Sequence, residues 1–82
     1  MKYVRDQERL NQFGRRLRQV RQAKGFTQES LAAAADLELS QIGRIERGAI
    51  NTSLSTVFIL ARALQLDVRE LFNFSAGGEP EI

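Results

Sequence analysis

The stretch LAAAADLELSQIGRIERG, Leu31 to Gly48, constrains the fold more than any other part of the chain. At about 100° per residue, Ile42 and Ile45 lie about 60° apart and define a buried helical face, while Ser40, Arg44 and Arg47 land on the opposite side. Gly43 is near those three, Leu39 and Gln41 flank the core, and Glu46 falls close to the buried edge. The spacing predicts a short helix that starts near Glu38 and stops at Gly48, a good residue to follow a helix end. An alanine-rich helix precedes it, and Asp36, one of the few non-glycine types that tolerates a left-handed backbone, interrupts the two. Two helices that cross closely at a sharp turn need little between them. Ala32 is small because a larger side chain there would push the third helix away.

The rest of the chain also reads as helix. Leu10, Phe13, Leu17 and Val20 recur at helical spacing, which predicts an amphipathic helix from roughly residue 6 to 24, closed by Gly25. Arg15, Arg16 and Arg18 fall opposite that stripe and Arg21 at its edge. Thr27 is the expected N-cap of a second helix from Gln28 to about Ala35, with Ser30 three residues later but without the full capping box, and with Glu29 in the dipole-favoured first turn. The segment AINTSLS reads as a loop in which Thr52, Ser53 or Ser55 caps a fourth helix through TVFILARALQ, and Asp67 caps a short fifth, VRELF. No strand or hairpin pattern and no internal repeat stands out. The expected organisation is all-α: residues 1–9 extend the first helix, residues 10–74 form the domain, and 75–82, SAGGEPEI, form a flexible tail.

Eighty-two residues leave room for one small domain, because chains of this size bury only about 60% of the surface their unfolded form exposes. With no Cys and no His, the usual zinc ligands are missing and no disulfide can staple the core. The N-terminal residues lack the apolar region of a signal peptide, and no apolar run approaches the ~20 residues of a membrane span. A cytoplasmic protein without a membrane anchor is expected. The net charge of +2 is unevenly placed: residues 1–24 carry eight Lys/Arg against Asp6 and Glu8, and the remainder carries four Arg against eight acids. That basic run is either a solvated helix face or an electrostatic footprint for a polyanion. No constellation for catalysis and no phosphate-binding glycine loop is present, so neither an enzyme nor a cofactor is expected, and a separate small-molecule-sensing domain does not fit in this length.

The segment Gln28 to Arg47 resembles the helix-turn-helix of the phage repressor and Cro group (XRE-like), which includes restriction-modification controller proteins. The likeness extends from LNQFGRRLRQVRQAKGFTQ, beginning at Leu10, through IERGAINTSL to LARALQLDVRELF, with Gln28, Ala32, Ile42, Ile45 and IERG in register. It implies a five-helix, lambda-repressor-like domain that acts as a sequence-specific transcriptional regulator, with the third helix, about 38–47, in the major groove of double-stranded DNA. Thr27 and Gln28 match positions that hold phosphates, where free N–H groups and the helix dipole attract anions. Leu39, Ser40 and Arg44 match positions that face base edges. Gln41, Gly43, Arg47 and Asn51 are further candidates for backbone contact. Arg21 and Glu46 match an ion pair that ties the first helix to the third.

The chain also departs from the family. Asp36 replaces the usual turn glycine, and Gly43 lies inside the reading helix, where it weakens the helix by roughly 0.5–1 kcal/mol relative to Ala but permits close approach to the DNA backbone. The AINTS loop lacks basic residues. Ile59 stands where relatives commonly carry a polar residue, and together with Phe58, Phe72 and Phe74 it leaves more large apolar surface than one small face should expose. These four are the expected interface of a homodimer on a palindromic operator. The N-terminal extension, with Tyr3 and Val4, is the alternative cover. A protein-interaction module on the same scaffold, antitoxin-like or anti-repressor, is the competing function.

Overall fold

The computed structural model describes residues 4–74, which hold helices and the turns between them and no strand. Four α-helices follow in order: α1 (Gln7–Ala23), α2 (Gln28–Ala35), α3 (Leu39–Glu46) and α4 (Leu54–Ala63). The expected fifth helix is a 3-10 turn, Val68–Phe72, so the described chain has four α-helices rather than five. Its shortness explains the difference. Asp67 caps it by accepting from the Arg69 N–H, and the tighter i→i+3 pattern lets Glu70 N–H reach Asp67 O at 2.9 Å within five residues. The tail 75–82 and Tyr3 lie outside the described residues.

All four α-helices end in the same way. A residue with left-handed backbone, Gly25, Asp36, Gly48 or Gln65, reverses the chain. The next N–H then bonds the carbonyl five residues back: Phe26 to Arg21, Leu37 to Ala32, Ala49 to Arg44 and Leu66 to Ala61, all between 2.8 and 3.1 Å. Asp36 takes φ 55°, as its side-chain type allows. Gln65 was expected to continue α4. It turns instead, because reversal there seats Leu66 and Val68 against the core.

At the helix starts, the Asp6, Thr27 and Ser53 side chains each accept from the backbone N–H three residues on. The α2 cap is a complete capping box after all: Ser30 N–H donates to Thr27 Oγ1 at 3.0 Å and Thr27 N–H to Ser30 Oγ at 2.9 Å. A serine hydroxyl at the third position does what a Glu or Gln carboxyl or amide usually does. Among the described α-helices, only α3 starts without a side-chain cap.

The core joins Phe13, Leu17 and Val20 of α1 to Leu31, Ala32 and Ala35 of α2, to Ile42 and Ile45 of α3, and to Val57, Leu60, Ala61 and Leu64 around α4, with Leu71 of the 3-10 turn closing it. Each fully buried Leu or Ile contributes about 1.5–3 kcal/mol of transfer free energy. Gly14 sets the distance between α1 and α3. A Cβ built there would stand 2.5 Å from the carbonyl oxygens of both Ile45 and Glu46, so only glycine admits this approach.

Candidate nucleic-acid interface

One face of α3 is locked and the other is free. Ile42 and Ile45 are buried, while Leu39, Ser40, Arg44 and Arg47 are exposed and Gln41 is half-buried. Neither Ser40 nor Arg44 uses its side chain within the described residues. Gly43, expected beside the outward strip, is instead buried. The Arg47 guanidinium folds over it, with Nη1 3.0 Å from where a Cβ would stand. The absent side chain makes room for the arginine that caps the same helix.

Behind the reading face, Arg21 and Glu46 form a buried bidentate pair, Nε to Oε2 at 2.6 Å and Nη2 to Oε1 at 3.1 Å. Arg21 Nη1 also donates to the Phe26 carbonyl at 2.9 Å, which ties the pair to the α1–α2 turn. Gln28 joins it through Nε2 to Glu46 Oε1 at 3.0 Å. The start of α2, the end of α3 and the last turn of α1 thus share one network. Among the described residues no buried side-chain nitrogen or oxygen lacks a partner. Thr27, exposed, stands at the open end of α2 beside Gln28.

Asn51 is exposed, and its Nδ2 donates to the Val4 carbonyl at 3.3 Å. The segment before α1 therefore runs across the α3–α4 loop. Val4 itself is 80% exposed, so it covers neither Phe58 nor Ile59. Arg5 in this segment and Gln7 at the first position of α1, with Asn11 and Gly14 behind them, were not singled out in the sequence. Gln7, Asn11 and Gly14 at i, i+4 and i+7 do share one helical face, the signal that could have exposed them.

The basic face of α1 divides. Arg15 and Arg18 are exposed, but Arg16 is half-buried and reaches the 3-10 turn, with Nε 2.7 Å from the Glu70 carbonyl and Nη2 3.3 Å from its carboxylate. Of the four apolar residues expected at a dimer interface, Phe58 (52%) and Phe72 (48%) are the more exposed, and Leu54 (71%) adds to them. Phe72 stacks obliquely between Phe13 and Phe74, at 5.3 and 6.4 Å. Ile59 points elsewhere. It is half-buried in a shallow groove with Ala34, Ala35, Asp36 and Arg62.

A short helix with one free polar face, braced by a second helix at a left-handed turn, defines a helix-turn-helix module. The model of the helix-turn-helix domain matches residues 12–72, and the chain belongs to this family of DNA-binding transcription regulators, which are not enzymes. It is 37% identical over 70 residues to the control protein C.BamHI of Bacillus amyloliquefaciens, covering 84% of this chain and 86% of that one. It is 39% identical over 59 residues to the uncharacterised HTH-type transcriptional regulator YazB of Bacillus subtilis, covering 72% and 86%. Among solved structures it is similar to the restriction-modification controller protein C.AhdI of Aeromonas hydrophila, at 49% identity and a TM-score of 0.75 over 77% of this chain and 96% of that one. No helix among the described residues is long and apolar enough to cross a membrane.

Proposed function

We propose that this protein controls transcription by binding a short palindromic operator as a homodimer, each protomer placing α3 in the major groove. The carrying observation is the free strip of Leu39, Ser40 and Arg44 on a helix whose other face is held by the core and by the Arg21–Glu46–Gln28 network. Arg44 reaches guanine O6 and N7, Ser40 donates or accepts, and Leu39, 45% exposed, meets a thymine methyl. Thr27, Gln28, Gln41, Arg47 and Asn51 hold the phosphates, which fixes register without carrying sequence information. Gly43, being buried, contributes only through its backbone. The likeness to control proteins supports a role at a promoter.

Dimerisation is supported by the exposed Leu54, Phe58 and Phe72. Ile59 lies in a separate groove beside α2 and adds a second, half-buried apolar patch. Two-fold pairing spaces the two α3 helices about 34 Å apart, one turn of DNA. Selection of bound duplexes from a random pool tests this reading. It should recover an inverted repeat whose half-sites are about one turn apart. A recovered single half-site contradicts the dimer, and no enrichment at all contradicts the proposed function.

A further inference from the structure

Residues 4–6 do not lengthen α1, although the sequence predicts that residues 1–9 do; they run ahead of it outside the helix, with Asp6 extended, and cross to the α3–α4 loop. Arg5 Nη2 donates to the carbonyls of Gly48, at 3.2 Å, and Ala49, at 3.1 Å. Its Nε donates to Gln7 Oε1 at 2.8 Å, and Gln7 Nε2 donates in turn to Gly48 O at 2.7 Å and Asn11 Oδ1 at 2.9 Å. Asn51 Nδ2 closes the strap on the Val4 carbonyl. Gly48, with φ 71°, is buried against Asn11 so closely that a Cβ would collide with it. The bonds that leave the strap fall on residues 48, 49 and 51, where α3 has ended and α4 has not begun. Carbonyls just past a helix end lack intrahelical donors and carry partial negative charge, so a guanidinium there satisfies both needs.

We infer that Arg5 is a positioning residue for DNA recognition: it clamps the exit of the reading helix and the following loop, and so sets how α3 and Asn51 meet the duplex. The inference rests on the proposed reading of α3. A binding constellation works only when its supporting hydrogen bonds hold it to within a fraction of an ångström. Past Ala49, residues 50–53 make no backbone hydrogen bond through their N–H groups among the described residues, so the strap, together with the packing of half-buried Ile50 on the core, restrains this loop. Arg5 itself is exposed and outside the core, which separates its effect on recognition from its effect on folding.

The test compares the parent, Arg5→Ala and Arg5→Lys on the duplex the parent prefers and on a random duplex, across a salt series and well below the melting midpoint. Arg5→Ala should bind the preferred duplex about tenfold more weakly, with a smaller loss on random DNA, because strong hydrogen bonds to the loop are gone. Its salt dependence should match the parent's. Arg5→Lys should behave like Arg5→Ala, since an ammonium on a flexible stem does not reproduce the planar fork that bridges two carbonyls and Gln7. A salt slope lower by about one makes Arg5 a phosphate ligand and overturns the inference. So does full rescue by Lys, binding equal to the parent, or a variant that no longer folds. A parent without sequence preference overturns the reading of α3 itself, and the inference with it.

Discussion

At the scale of single residues, the outward and inward faces of α3 make opposite predictions. Arg44→Ala should cost about 1–3 kcal/mol on the preferred duplex and little on random DNA, because a base-reading group is lost and the phosphate contacts remain. Titration of both duplexes at one salt concentration checks this, and equal losses would demote Arg44 to a backbone contact. Glu46→Ala acts on the other side. It strands Arg21 in a buried site where Glu46 had accepted two of its N–H groups and one from Gln28. Breaking such a pair costs roughly 3–5 kcal/mol, a large share of the stability of a small domain. Urea unfolding measures it, and a variant that unfolds with the parent's midpoint contradicts a structural role for the pair.

Among the described elements, the 3-10 turn carries the pronounced electrostatic perturbation. Hydrogen bonds from the Arg69 guanidinium and N–H hold the Asp67 carboxyl down from 3.8 to about 2. Because this acid ionises more readily folded than unfolded, its contribution to stability is present above the ordinary carboxylate range and is lost as the pH falls from about 4 through about 2. Asp67→Asn should therefore be less stable than the parent at neutral pH and converge with it near about pH 2. The pair lies at the solvent-exposed surface, so the gap is small. Urea midpoints across that pH range read it, and a constant gap contradicts the account.

The helices and their facing residues were legible in the sequence because periodicity and caps act locally: Ile42 and Ile45 fixed the inner face of α3, and Thr27, Asp36 and Gly48 its surroundings. What was not legible depends on contacts far apart in the chain. Gly14 matters only because α3 ends above it, and Arg5 only because residues 48 and 49 present carbonyls to it. Gly43 looked outward on the wheel, but Arg47 covers it, which no wheel shows. Arg16 likewise looked solvated until the 3-10 turn brought Glu70 to it.

At the scale of the whole molecule, pairing and recognition act together. Phe58→Asp places a charge at a half-exposed position, so it should abolish dimerisation without unfolding the protomer. Ile59→Asp, half-buried in the separate groove beside α2, should cost stability and weaken pairing only if that groove also joins the interface. Sedimentation at micromolar concentration reads both, and a parent that is monomeric on and off DNA contradicts the proposed pairing. The most direct measurement is the affinity of the parent for its preferred duplex and for a scrambled duplex of equal length, from about 50 to 200 mM salt. The expected result is a preference of at least about 10³ for the preferred duplex, with both affinities falling steeply as salt rises. Equal binding to the two duplexes, or binding that ignores salt, would contradict a reading helix on this protein.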